Sequence, residues 1–273
     1  MVTQFQERFT EIVSLPDEEI RLDEAALVIA AEMQDNIDIE YYLSLIVSLK
    51  NKFERVQEES LEVSVSNLIE FIHVKEGFSG NITDYYDPAN SYLNRVIDKK
   101  IGIPISLALI HIALGSRLGL PVHGMNFPQH FLVCYALEEP VIVDPFSGRV
   151  LSKADCTKLL RQHLGSKAIL EDEYFAHASK RDILVRLLDN LKKIFWRKKA
   201  WVQSKFCIDS QLMLIPNATE FSVQLGAIYE MQGNVELAQH TYTEVLYRST
   251  DKHLRKQISK RLLTLEPRNR TLH

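Results

Sequence analysis

The sequence predicts an α+β protein in which a helical layer precedes a small antiparallel sheet and an all-α segment completes the chain. Three observations carry that expectation. Apolar residues recur at helical spacing between residues 22 and 76, short β-prone runs separated by turn formers replace that period between 121 and 144, and the last third corresponds to itself at an offset of 34 residues, Leu191 to Leu225. A 3.6-residue period gathers apolar side chains on one helix face, whereas short β-branched runs between turns suit strands.

Size and composition set the frame. A chain of 273 residues, nearly half apolar, can bury a substantial core and has room for two domains, here expected at 1–179 and 180–273. Its apolar runs, such as ISLALIHIAL, stop well short of the roughly 20 residues that cross a bilayer. The acidic N-terminus MVTQFQERFTEIVSLPDEE has no signal-type apolar run, so no membrane association is expected and the cytoplasm is the expected location. Cys134, Cys156 and Cys207 are odd in number and widely spaced, which provides neither a disulfide framework nor a CxxC metal site. From residue 180 onward there are seventeen Lys and Arg against nine Asp and Glu, a balance of +8; a net charge of −4 then leaves −12 for residues 1–179. Such a section suits nucleic acid, an acidic partner or a solvated helical surface.

The elements follow in order. LDEAALVIAAEM (22–33) reads as a helix, as does 39–56, where Ile39, Tyr42, Leu43, Ile46, Leu49, Phe53 and Val56 share a face; a third runs over 61–76, with Gly77 placed to stop it. FSGNITDYYDPANS is a loop, and Asn90 is expected to cap a short helix through Lys99. Pro104 suits a helix first turn, and Arg117 with Gly119 marks that helix's end. Strands are expected at 121–126, 130–137 and 140–144, divided by FPQ and LEEP.

Candidate chemistry gathers where these elements meet. Ser106 lies in the first turn of the helix opened by Pro104, where backbone N–H groups and the helix dipole favour an anion. His130 enters the second expected strand and Asp144 ends the third, so a hairpin around Glu138 and Glu139 would bring them together. A nucleophile, a base and a group orienting the base form the logic of covalent acyl transfer. Cys134 shares strand parity with His130, but mid-strand it lacks a helix dipole and reads as a small buried residue. His111 and His123 lack HxxxH or HxH spacing, so no metal is expected. Neither GxxxxGK, GxGxxG nor HExxH occurs, and no cofactor is expected.

The wording DYYDPANSYLNRVIDKKIGIPISLALIHIALGSRLGLPVHGMNFPQHFLVCY, followed by VIVDPFSGRVLS, closely resembles a bacterial family that joins a transglutaminase-like domain to tetratricopeptide repeats, the regulator of sirC expression type. The resemblance runs from about residue 20 to the C-terminus and centres on 84–152. It implies a papain-like, transglutaminase-like core in which Ser106, His130 and Asp144 take the places of the superfamily's Cys, His and Asp. That family usually has serine at this point, so Ser106 follows the family and departs from the superfamily. The resemblance also makes Tyr85, Tyr86, Asn90 and Asn94 candidates to line the cleft; packing of their loop on the sheet is the other reading.

In the last third the same offset pairs Ile194 with Ile228, Phe195 with Tyr229, Ser204 with Ala238, Ile208 with Tyr242 and Leu212 with Leu246. This period fits tetratricopeptide repeats, with Gly226 packing and Gly233-Asn234 turning, and residues 251–266 reading as a closing helix. Lys192, Lys193, Arg197, Lys198 and Lys199 form a candidate partner-binding cluster, whose acidic partner includes the acidic half of a second copy. The cluster lacks a reading helix or aromatic platform, which argues against direct nucleic-acid binding.

Two functions stand against each other. In the first, a degenerate core without catalysis serves as a regulatory scaffold and the repeats bind a protein or peptide. In the second, Ser106, His130 and Asp144 act as a serine-dependent acyl hydrolase or amide transferase. A hydroxyl ionises far less readily than a thiol, so the loss of sulfur favours the scaffold. Geometry discriminates between them: Ser106 hydrogen-bonded to His130 beneath an open cleft favours the enzyme, and a sealed Ser106 favours the scaffold.

Overall fold

The N-terminal layer comprises α1 (Gln4–Ser14), α2 (Leu22–Glu32), α3 (Ile39–Lys52) and α4 (Leu61–Glu70), in a computed structural model that describes residues 4–53 and 60–265. Asp38 and Ser60 start α3 and α4 by accepting from the backbone N–H groups of Tyr41 and Val63. The helix expected over 39–56 ends at Lys52, and Val56 lies outside the described residues. Beyond α4 the chain continues as a π-helical turn, Phe71–Lys75, before Gly77 at φ +77° redirects it.

Two short parallel strands, β1 (Ser79–Gly80) and β2 (Ile101–Gly102), flank α5 (Leu93–Lys99). Asn90 does not cap α5. It lies in the preceding 3-10 turn, where Asp87 accepts from Ala89 N, and Tyr92 holds the cap position of α5.

Next comes α6 (Pro104–Arg117), in which every residue from Pro104 through Gly115 is buried. Its near-continuous apolar sequence is that of a helix covered on all sides. Helices α2, α3 and α5 touch it, as do β3 (Val122–Met125) and β4 (Leu132–Tyr135). At its C-terminal end Arg117 pairs with the buried Asp23 of α2.

The antiparallel sheet continues through β5 (Val141–Asp144) and β6 (Arg149–Leu151), in the order β3-β4-β5-β6. Strand β4 begins two residues later than expected because His130 N donates to Phe127 O and closes a turn. Strand β6 was not expected: three residues, two of them exposed, leave no readable alternation. Helix α7 (Lys153–Leu164) follows, capped by a reciprocal Ser152–Asp155 pair.

The chain divides into two compact units, Met1–Leu187 and Leu188–His273, and the division falls inside α8 (Lys180–Arg197). The second unit continues with α9 (Trp201–Leu214), α10 (Thr219–Met231), α11 (Val235–Arg248) and α12 (Lys252–Leu265); α9 packs on α10, α10 on α11 and α11 on α12. Glu266, expected to end the closing helix, lies outside the described residues. Gly226 is required where α10 meets α11, since a Cβ there would lie 2.5 Å from the Tyr242 ring. Asn234 caps α11 after Gly233 has turned the chain at φ +76°.

Arg117→Ala would leave the Asp23 carboxylate buried with only the backbone N–H of Glu24 as partner. A loss of roughly 3 kcal/mol in unfolding free energy is expected by denaturant titration.

Candidate functional site

Ser106 occupies the third position of α6, and its hydroxyl is fully buried. It lies 2.5 Å from Asn90 O and 3.1 Å from Ile103 O, both acceptors, and accepts from Ile103 N at 3.1 Å. These contacts occupy the hydroxyl with backbone: it pins the loop before α5 to the start of α6 and closes the helix cap. Space is tight as well, because a Cβ on Gly102 would come within 2.7 Å of Ser106 Oγ.

His130 and Asp144 meet as neighbours at one end of β4 and β5, whose register pairs Val133 with Val143. His130 Nε2 donates to Asp144 Oδ1 at 2.8 Å, and both side chains are largely buried. The carboxylate also accepts from Phe146 N at 2.9 Å and from Ser147 Oγ at 2.6 Å. Burial alone would raise the Asp144 pKa, but the bonds from His130, Ser147 and Phe146 hold it below the usual carboxylate range. Asp144 thus organises the DPFSG turn as well as orienting an imidazole. Among the described residues the Ser106 hydroxyl meets Asn90 and Ile103, the Asp144 carboxylate meets His130, Phe146 and Ser147, and no Ser–His–Asp triad is assembled.

Comparison with known proteins agrees with this arrangement of helix and strands. Residues 22–189 match the model of the transglutaminase-like superfamily. The chain belongs to the transglutaminase-like superfamily. It is 34% identical over 248 residues to a UPF0162 protein of Xylella fastidiosa (strain 9a5c), covering 87% of each chain. A stretch of 188 residues is 25% identical to F-box only protein 21 of Mus musculus, covering 64% of this chain and 29% of that one. The crystal structure of menin aligns with a TM-score of 0.44 at 9% identity, covering 93% of this chain and 73% of menin.

Within this transglutaminase-like core the four other candidate residues separate into two pairs. Asn90 is buried and donates to Asp84 O and Tyr85 O while accepting from Asn81 Nδ2, so it secures the loop's own backbone. Asn94 is buried too, and its amide pairs with Gln34 to join α5 to the end of α2. Tyr85 and Tyr86 are exposed. Their rings lie 5.3 Å apart, Tyr85 reaches Phe146 at 6.0 Å, and Phe146 meets His130 at 6.5 Å. An aromatic ridge therefore leads from solvent to the His130–Asp144 pair. The His163 ring of α7 also stacks on His130, at 5.8 Å. Burial, and then His130, lower the pKa of His163.

Phe146, Ser147 and His163 were not among the expected site residues. DPFSG carries a signal for the first two, since groups two and three residues beyond an Asp are placed to return to its carboxylate. Nothing in the sequence marks His163, whose approach to His130 depends on how α7 packs. Cys134 is buried, and burial raises its pKa, away from the thiolate a nucleophile needs.

In the second unit, Lys192 is buried, lies 2.6 Å from Asp189, donates to Gln211 Oε1 at 2.8 Å and sits over the Phe221 ring. It braces α8 against α9 and α10. Lys193, Arg197, Lys198 and Lys199 are exposed.

Ser106→Ala would remove the shortest donor to Asn90 O and the nearer acceptor for Ile103 N, lowering stability by about 1–3 kcal/mol in thermal or denaturant unfolding. Ser106→Cys is expected to lower stability as well, because sulfur is larger and bonds more weakly. Titration of that variant with a thiol reagent should find the introduced thiol unreactive in the folded state.

Proposed function

We propose that this protein is a regulatory scaffold whose transglutaminase-like core does no acyl transfer and whose C-terminal helices bind an acidic protein or peptide. One observation carries the first half: the Ser106 hydroxyl is sealed and bonded to the carbonyls of Asn90 and Ile103. A nucleophile must direct its oxygen at a substrate and its proton at a base. Turning Ser106 toward His130 would leave Asn90 O and Ile103 N with only their long 3.4 Å bond to each other. The alternative, serine-dependent hydrolysis or amide transfer through Ser106, requires that rearrangement.

The second half rests on the helical hairpins after residue 188. Several positions related by 34 residues share burial: Ser204 and Ala238, Ile208 and Tyr242, Ile194 and Ile228 are all buried, while Leu225 and Tyr229 are half-buried where their counterparts Leu191 and Phe195 are buried. That agreement supports a tetratricopeptide-like reading of the hairpins, modules that stack and present a surface to partners. The exposed cations Lys193, Arg197, Lys198 and Lys199 give the surface its sign. Lys192 belongs to the packing of the unit instead. A second copy, through its acidic residues 1–179, is one partner of the right charge, and a cytoplasmic setting with no cofactor suits the reading.

A fluorophosphonate probe tests the core. No labelling of the wild type is expected at any pH that preserves the fold, whereas labelling abolished by both Ser106→Ala and His130→Ala would establish the enzyme. For the second unit, replacing Lys198 and Lys199 with Glu and Lys193, whose ammonium lies 3.9 Å from Asp189, with Gln should weaken partner capture by the full-length chain about as much as raising salt well above physiological strength does. The melting temperature should change little, because all three side chains are exposed. Lys192→Glu is expected instead to unfold the second unit, since it would place a carboxylate beside Asp189.

A further inference from the structure

A second polar chain crosses the first unit, away from Ser106. His73, on the π-helical turn, places Nδ1 2.8 Å from Phe78 O and Nε2 2.8 Å from His111 Nε2. His111, fully buried in α6, places Nδ1 2.9 Å from the hydroxyl of Tyr135, itself fully buried in β4. A carbonyl can only accept, so His73 carries its proton on Nδ1 and offers a lone pair at Nε2. His111 must then donate from Nε2, which leaves its Nδ1 to accept from the Tyr135 O–H. Only one set of tautomers satisfies every group.

The relay also touches the turn that holds the His130–Asp144 pair. Gly148, at φ +71°, lies against the His73 ring, where a Cβ would come within 2.6 Å of Cγ. Gly148 N donates to Asp144 O at 2.8 Å and closes the turn. We infer that His73, His111 and Tyr135 form one polarised hydrogen-bond relay that makes His73 a proton-sensitive positioning residue for the turn carrying Asp144.

The direction of the response follows from the proton count. If His73 takes a proton from solvent at Nε2, two N–H groups face each other. His111 must then exchange Nε2–H for Nδ1–H, and Tyr135 must accept at its oxygen. One proton enters and none leaves, but the Tyr135 hydroxyl loses its acceptor, and a buried unpaired donor is costly. The charged and titratable groups facing His73 are His111 from α6, with Tyr135 behind it, and Asp144 from β5, which His130 and Ser147 hold. Burial lowers the His73 pKa and outweighs the bond to Phe78 O and the charge of Asp144, which both favour protonation. Burial, then His73, push His111 down to about 3 from the ordinary 6.5. Unfolded histidines bind protons below about 6.5, so the unfolded state takes up more protons there. The stabilisation is complete above that pH and declines as the medium is acidified.

Long-range proton–nitrogen NMR of the full chain labelled with nitrogen-15 histidine tests the relay. At pH 7.5 the expected pattern is His73 protonated on Nδ1 and His111 on Nε2. His130 signals should move in step with the titration of His73, a movement absent in His73→Gln. In Tyr135→Phe, His111 lacks its hydroxyl partner in either tautomer, so the penalty on protonating His73 falls and its proton affinity should rise about tenfold. His111 protonated on Nδ1 in the wild type, or a His73 midpoint unmoved in Tyr135→Phe, would overturn the inference. The wild-type tautomers decide the matter if either variant fails to fold.

Discussion

A single hydroxyl determines how the interior can be assembled. Helix α6 is covered on all sides, so the polar groups at its N-terminal end must find partners within the protein. Pro104 removes one N–H, and the Ser106 hydroxyl serves the N–H of Ile103. The same oxygen reaches Asn90 O, and the side chain of Asn90 holds the carbonyls of Asp84 and Tyr85. The first turn of α6 and the loop before α5 are therefore one hydrogen-bonded body. The aromatic ridge and the neighbouring DPFSG turn take their places from that body, since Gly80 N donates to Phe146 O.

Serine at this position is a different object from cysteine, and the difference is physical before it is catalytic. An oxygen is short enough to sit against Gly102 and strong enough to donate to Asn90 O while accepting from Ile103 N. A thiol is larger and bonds weakly, so in the same place it would hold these backbone groups less firmly. With serine here, the start of the helix is a structural joint. The imidazole and carboxylate need no nucleophile to justify them: Asp144 organises its own turn through Phe146 N and Ser147 Oγ, and His130 completes the set.

Much of this was legible in the sequence, in places where one physical signal acted alone. The apolar run after Pro104, the turn formers around FPQ and LEEP, and the Gly233-Asn234 turn each specify a local structure strongly. Legibility failed where two roles compete for one residue type. Asn90 looks like a cap, yet Asp87 and Tyr92 hold the cap positions and Asn90 serves loop carbonyls. Lys192 looks like one of a run of solvated cations, yet helical geometry turns it inward while its neighbour Lys193 stays exposed. His111 stands out in an apolar helix, but its role depends on His73 and Tyr135, 38 and 24 residues away, so no local pattern contains it. Residue chemistry identified His130 and Asp144 as a pair. The state of Ser106 depended on the backbone of Asn90, which side-chain type does not reveal.

The two buried polar chains explain why such a core retains groups that catalysis would otherwise account for. A network of this kind is worth little relative to well-packed apolar residues, but removing one member exposes the cost of the others. If His111 became apolar, Tyr135 would lose its acceptor and His73 its donor. If Asp144 became apolar, His130, Ser147 and the N–H of Phe146 would all be left short. Single substitutions are thus far more damaging than the net value of either network. The Ser106 position differs in one respect. Its partners are all backbone, present whatever the side chain, so serine is the group that fits them. A structural demand of that kind keeps oxygen in place without any call on its nucleophilicity, and the His130–Asp144 pair stands beside it for reasons of its own.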